Sequence, residues 1–231
     1  MTDAANLPPG IVTIDGPAGV GKSTLAKRVA QALGVAFMDT GAMFRAICVE
    51  ALAVPDAAAA LAKGDGAAML AAIGPLDFSM QGVGADTVLL CNGQALGDAI
   101  RTEQVGMTAA RIATMPSVRD FLKKAQQDMG ATIPLVAEGR DMGTVVFPMA
   151  RHKIFLDADT EERARRRYLQ LCDTGQKPAF SKLVQDMKER DEQDRNRAVA
   201  PLRPATDAVV IDTSHIDLDG VFEAIMRHIT Q

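Results

Sequence analysis

The sequence predicts a parallel α/β fold, three layers deep, in which about five core strands alternate with helices. Three observations carry that expectation. Short apolar or β-branched runs recur at residues 11–14, 35–38, 133–137, 153–156 and 208–211, with helical composition between them. A glycine-rich turn leads straight from the first run into an amphipathic segment. Glycine or acidic residues follow the first four runs, at the carboxyl ends where open parallel sheets collect ligand groups.

Taken in order, residues 1–9 read as a short flexible tail ending in Pro8-Pro9. Ile11-Val12-Thr13-Ile14 is a strand closed by Gly16-Pro17. Ser23 to Leu33 is a helix, with Leu25, Val29, Ala32 and Leu33 at amphipathic spacing and Gly34 as its stop. Val35-Ala36-Phe37-Met38 is the second strand, running into Asp39-Thr40-Gly41. From about Glu50 the texture changes, and Ala57–Ala72, rich in Ala, Leu and Met, reads as one helix. Leu76–Met80, Thr87–Cys91 and a stub at Gln94–Leu96 follow, separated by Gly82-Val83-Gly84 and by the hairpin signal Asn92-Gly93. They predict a small antiparallel sheet inserted into the chain. Helical pattern resumes near Thr102 and again over Ser117–Met129. After the strands at 133–137 and 153–156, residues 160–172 and 180–196 form two charged helices around a Gly/Pro-containing loop. The strand at 208–211 and an amphipathic helix over Leu218–Ile229 complete the pattern. The expected division is therefore a tail at 1–9, a core built from 10–45, 112–159 and 198–231, an insert at 46–111 and a lid at 160–197.

The chain has 231 residues, 48% hydrophobic and 23% charged, ordinary values for a globular protein that buries a core without disulfides. A formal net charge of −4 argues against a general electrostatic grip on nucleic acid. Cys48, Cys91 and Cys172 are odd in number and lack metal or disulfide spacing, as expected of a reducing cytosol. The start, MTDAANLPPG, lacks the pattern of a signal peptide, and no run is long and apolar enough for a membrane span. A cytoplasmic protein with no membrane or nucleic-acid partner is expected. His152, His215 and His228 read as isolated, Phe44 and Tyr168 as packing residues, and Met43, Met107 and Met115 as core filler.

Chemistry concentrates in four places. Gly16-Pro17-Ala18-Gly19-Val20-Gly21-Lys22-Ser23 fits GxxxxGK[ST] between a predicted strand and a predicted helix. Its glycines let backbone N–H groups wrap a phosphate, Lys22 is placed to reach the outer phosphates, and Ser23 to ligate Mg²⁺. No Asn-Lys-x-Asp occurs to read guanine, so ATP is the expected donor. Arg45, in Asp39-Thr40-Gly41-Ala42-Met43-Phe44-Arg45, could clamp a second phosphate or merely pair with a surface carboxylate. Arg140-Asp141, within Glu138–Thr144, could present ligand groups at a strand's end or form a local ion pair in a turn. Arg163, Arg166 and Arg167 share one helical face, and Arg190, Asp194 and Arg197 another. Such helices could be solvated ion-pair surfaces or a mobile lid that closes over a polyphosphate.

Together, Ile14-Asp15-Gly16-Pro17 entering the phosphate loop, DTGAMFR at 39–45, GRDMGTVVFP at 139–148, and Lys188-Glu189-Arg190-Asp191 with DRNRA at 194–198 resemble the bacterial cytidylate kinases. The resemblance runs from about Ile11 to the end of the chain, and GRDMGTVVFP and DRNRA are far more specific than the phosphate loop. It implies a P-loop kinase fold whose insert binds the monophosphate, and reversible transfer of the γ-phosphate of ATP to CMP or dCMP with Mg²⁺. Gly16, Pro17, Ala18, Gly19, Val20, Gly21, Lys22, Ser23, Thr24 and Arg166 would bind ATP, with Ser23 on the metal. Asp39, Thr40, Arg45, Arg119, Arg140, Asp141, Arg190, Asp194 and Arg197 would bind CMP, and Lys22, Arg140 and Arg190 would act in catalysis. Three positions depart from the family pattern: Ala110 where serine can occur near the sugar, Phe44 where tyrosine is common, and Thr40 where serine is. They bear on how CMP and dCMP are told apart. A monomer is expected. Two other readings stay open, another P-loop small-molecule kinase such as a uridylate kinase, and a nucleotide-switched binding protein that hydrolyses ATP slowly.

Overall fold

A computed structural model describes residues 10–231, so the tail expected at 1–9 lies outside the described residues. Strand β1 (Ile11–Asp15) leads through the glycine turn into α1 (Lys22–Leu33), and β2 (Ala36–Asp39) into α2 (Thr40–Ala53). The Asp39 carboxylate caps α2, accepting the Ala42 N–H at 3.0 Å. The single helix expected over 57–72 is two, α3 (Pro55–Lys63) and α4 (Gly66–Ile73). Gly64 ends the first in the left-handed region (φ 77°), and Asp65 caps the second by accepting the Ala68 N–H at 2.9 Å. The inserted sheet is β3 (Phe78–Gln81), β4 (Val88–Cys91) and β5 (Gln94–Ala95). Asn92 and Gly93 both take positive φ, the hairpin their sequence signals. Helices α5 (Glu103–Ile112) and α6 (Pro116–Thr132), strands β6 (Leu135–Gly139) and β7 (His152–Asp157), helices α7 (Thr160–Asp173) and α8 (Phe180–Asn196), strand β8 (Val209–Asp212) and helix α9 (Leu218–Thr230) follow.

The core sheet is parallel throughout in the order β2-β6-β1-β7-β8. All five expected strands form, with ends shifted by one or two residues. Side chains alternate between the two faces of a strand. Val12, Ile14 and Val136 accordingly pack with Leu25 and Val29 of α1 and Val221 and Ile225 of α9. Leu135 and Ala137 pack on the other face with Met43 and Ile47 of α2 and Leu122 of α6. This gives three layers. Registry places Asp15 beside Gly139 and Asp39 beside Glu138, so the carboxyl ends of β2, β6 and β1 open side by side. No helix among the described residues is long and apolar enough to cross a membrane.

Three smaller expectations are corrected, the first being Met107, which is exposed on α5 and not core filler. His152 and His228 are not isolated, because their rings meet edge to face at 5.7 Å between centroids. Arg197 is not on the helix with Arg190 and Asp194, since α8 ends at Asn196 and Arg197 turns into extended backbone.

Candidate functional site

The phosphate loop takes its shape from close packing against β7. A Cβ on Gly16 (φ 149°) would stand 2.1 Å from the Leu156 carbonyl oxygen, so only glycine fits. Gly19 and Gly21 also take positive φ, and α1 begins immediately after Gly21 with its N-terminus at the loop's mouth. Lys22 is buried, its Nζ donating to the Pro17 carbonyl at 2.6 Å. Burial, and then the Arg140 charge, push its pKa well below the usual lysine range against the pull of Glu138 and Asp15.

Two carboxyls at neighbouring strand ends flank this lysine. Burial, opposed by N–H groups of Gly143 and Met142, lifts Asp15 to about 6. Burial and then repulsion from Asp39 lift Glu138 to about 7, opposed by Lys22, the Ser23 side chain and Arg140. Sequence reading assigned neither residue a role. The only signal for them was an acidic residue closing an otherwise apolar run.

A cleft of about 920 Å³ opens from the phosphate loop. Gly19 to Leu25 form one wall, Glu162, Arg166 and Gln170 of α7 a second, and Thr213 to Leu218 a third. Arg166 is fixed against that third wall, donating to Thr213 Oγ1 at 3.1 Å, the Thr213 carbonyl at 2.6 Å and Glu162 at 3.1 Å. Its guanidinium is thereby held at the rim of the space reached from the loop.

On the other side of Lys22 the arginines gather. Arg140 does not pair with Asp141, which removes the local ion pair from consideration; its Nε donates to Asp194 at 2.9 Å instead. The Asp141 carboxylate is buried between Arg119, which it contacts closely, and Arg197 at 3.6 Å. Arg119 also donates to the Ala113 carbonyl at 3.0 Å and lies 5.8 Å from the centre of the Phe44 ring. Arg197 bonds the Ala200 carbonyl, while its buried Nη2 has no hydrogen-bond partner. Arg45 and Arg190 form no hydrogen bond or ion pair among the described residues. Loss of water and then repulsion from Arg140 and Arg45 depress the Arg190 pKa, even though part of the side chain reaches solvent. A second cleft, about 440 Å³, lies between α5 and α8 and is lined by Ala110, Arg190, Asp194 and Arg197.

A family profile described as cytidylate kinase matches residues 12–231. The cytidylate kinase of Nitratidesulfovibrio vulgaris is 56% identical over 220 residues, covering 95% of this chain and 92% of that protein. That of Oleidesulfovibrio alaskensis is 54% identical over 222 residues, covering 94% and 96%. That of Vibrio cholerae is 43% identical over 219 residues, covering 95% of each. The chain belongs to the cytidylate kinase family.

Within this member of the family the residues expected to bind CMP fall into two kinds. Arg45, Arg119, Arg140, Asp141, Arg190, Asp194 and Arg197 share one network of contacts and mutual repulsion. Asp39 and Thr40 lie at its floor but already serve the fold. Asp39 caps α2, and Thr40 Oγ1 donates to the Glu138 carbonyl at 2.7 Å, keeping only its lone pairs for a ligand. The three arginines of α7 separate. Arg166 faces the larger cleft, Arg167 donates to Gln170, and Arg163 is 1% exposed, turned away from solvent. Arg163 donates to the Ala158 and Ala18 carbonyls at 3.0 Å each and pairs with Asp191 of α8. A helix face shows which residues neighbour one another. It does not show which of them the next helix covers.

Proposed function

We propose that the protein transfers the γ-phosphate of ATP to CMP or dCMP, yielding ADP and CDP or dCDP, in a direct in-line step. The observation that carries this reading is the buried Asp141 carboxylate held between Arg119 and Arg197, next to arginines that lack a full set of carboxylate partners. An ionised carboxylate only accepts hydrogen bonds, so it suits the exocyclic amine of cytosine, and the flanking arginines suit the ring's O2 and N3 side. Arg45, Arg140 and Arg190 would hold the acceptor's phosphate, whose charge answers their repulsion. ATP would enter the larger cleft with its phosphates in the loop and its base against Arg166.

An acceptor phosphate oxygen then attacks the γ-phosphorus while the bond to the β–γ bridging oxygen breaks. No covalent enzyme intermediate is needed, and positioning and charge neutralisation do the catalysis. Lys22, Arg140 and Arg190 would neutralise charge as it spreads over the transferring group. Mg²⁺, when bound with ATP, would be held on the protein side by Ser23 and would supply positive charge against the phosphates. The donor set fits it: the Ser23 hydroxyl and the nearby Glu138 carboxyl are hard oxygen ligands.

A coupled ADP-release assay with Mg-ATP and each nucleoside monophosphate tests the reading. CMP and dCMP should turn over well, and UMP, AMP and GMP poorly; equal turnover of AMP or UMP overturns it. Uracil would set a carbonyl oxygen against the Asp141 lone pairs, leaving two buried groups unsatisfied at about 1–3 kcal/mol each, or roughly a 10- to 100-fold preference. Asp141→Asn can turn an amide donor toward uracil, so the CMP-to-UMP ratio of kcat/KM should narrow. An unchanged ratio removes Asp141 from base recognition.

A further inference from the structure

Asp141 stands at the N-cap of a π-helical turn, Met142–Val146, that directly follows β6. The start of any helical segment leaves backbone N–H groups without intrahelical acceptors, and an aspartate at the N-cap ordinarily bends back to take one of them. Asp141 makes no such bond. Its carboxylate points instead to Arg119 and Arg197. The N–H groups at the start of the turn are taken from elsewhere: Asp15, at the end of β1, accepts Met142 N–H at 2.9 Å on one carboxylate oxygen and Gly143 N–H at 2.8 Å on the other. Asp15 is 3% exposed, so water cannot replace it.

We infer that Asp15 is a positioning residue for base selection: by capping the turn from the neighbouring strand, it frees the Asp141 carboxylate to face the acceptor's base. Two aspartates thus divide what one N-cap aspartate would otherwise have to do. Asp15 and Asp141 are near enough to repel, which further favours Asp141 turned toward the arginines. Asp15 also adjoins Gly16, so the same residue ties the donor loop to the acceptor turn through one rigid strand end. Without the Asp15 carboxylate, two buried N–H groups lose their acceptor. The Asp141 carboxylate, already at the N-cap, is then free to turn back to one of them, in competition with the Thr13 hydroxyl, which has no partner among the described residues. The return of Asp141 to the cap would leave cytosine without its acceptor. The inference rests on the reading of Asp141 as that acceptor.

The test is Asp15→Asn, alone and combined with Asp141→Asn, with KM and kcat measured for CMP, UMP and ATP. An amide offers one acceptor oxygen and sets a donor against the second N–H. Asp15→Asn should therefore raise KM for CMP and reduce the CMP-to-UMP ratio of kcat/KM by roughly tenfold. In the Asp141→Asn background the same change should leave the ratio within about twofold, because the path through Asp141 is already cut. Asp15→Ser removes the charge without adding an amide donor; it is read in the same way and replaces Asp15→Asn should that variant not fold. A CMP-to-UMP ratio unchanged by either Asp15 variant overturns the inference, as does a loss shared equally by CMP, UMP and ATP. If Asp141→Asn alone leaves the ratio unchanged, the base-recognition reading has failed first and the inference falls with it.

Discussion

Asp191→Ala would expose what fastens the helical hairpin of α7 and α8 to the phosphate loop. Arg163 is 1% exposed and its donors are spread over four partners. Its Nε donates to Ala158 O at 3.0 Å, one terminal nitrogen to Ala18 O at 3.0 Å and Asp191 at 3.1 Å, the other to Thr160 Oγ1 at 2.9 Å and again to Asp191. Breaking a buried ion pair by removing one partner strands the remaining charge, at about 3–5 kcal/mol. Three neutral acceptors stay with Arg163, so the lower end applies, about 3 kcal/mol. For a chain of this size that is a fall in Tm of about 6–12 °C. The double variant Arg163→Met/Asp191→Leu removes both charges and should recover most of the stability. It also cuts the bond to Ala18, so KM for ATP should rise more than KM for CMP. The chain has no Trp and one Tyr, which makes urea unfolding followed by far-ultraviolet circular dichroism the suitable readout. An Asp191→Ala protein within about 0.5 kcal/mol of wild type would refute the reasoning, because surface-like substitutions alone are that mild.

Further outcomes follow from the same geometry. Lys22→Ala should lower kcat by roughly 100- to 1000-fold, as loss of one preorganised charge-stabilising group does, without lowering Tm, since its buried ammonium is a desolvated cation; near-normal turnover would count against its role. Glu138, raised from 4.5 to about 7, binds its proton more tightly folded than unfolded. On its account stability is lost as pH climbs from about 4.5 through about 7, by up to roughly 3 kcal/mol. Glu138→Gln should flatten that slope and be the more stable protein at pH 8, and parallel urea titrations at pH 5 and pH 8 check it. In hydrogen exchange the outer part of the hairpin, residues 169–185, should gain protection with CMP and a non-hydrolysable ATP analogue, while the Arg163 anchor is protected throughout. Equal protection with and without ligands would make the hairpin a fixed bracket instead of a lid.

What was legible in the sequence is what local rules fix. β-branched runs, the fixed spacing of the phosphate loop and an Asn-Gly turn each specify their own conformation, and each appears where expected. The break between α3 and α4 was legible too, in Gly64-Asp65, but an alanine-rich stretch outweighed it. Long-range burial was not legible. Nothing near Arg119 marks it on α6; only the family resemblance pointed to it, and its partner Asp141 is 22 residues away. Arg163 read as one of three equivalent arginines until the neighbouring helix covered it. Asp15 and Glu138 owe their raised pKa values to strands that meet only in the folded sheet.

The distribution of charge explains why such a site can exist in a chain with a net charge of −4. The cleft floor sets carboxyls at strand ends beside arginines brought in from α2, α6, α8 and the segment after it. Arg119 and Arg197 are matched by Asp141 and Arg140 by Asp194, whereas Arg45 and Arg190 have no ion-pair partner among the described residues. Burial holds Asp15 and Glu138 above the usual carboxylate range and Lys22 below the usual range for lysine, while the half-buried Arg197 and the partly solvent-exposed Arg190 are lowered by loss of water and then by neighbouring arginines. A purely structural network would relax such costs by matching each charge to a partner, as Lys153 does with Asp207. Here Arg45 and Arg190 stay close to Arg140 without an ion pair of their own among the described residues, and Asp194 and Asp191 are the carboxylates that oppose the repulsion on Arg190. Phosphate groups of donor and acceptor would add negative charge there from two sides. Under the proposed function, two nucleotides bound here would set their phosphates beside Lys22, Arg45 and Arg190, and the same charges that hold them would align the reacting groups.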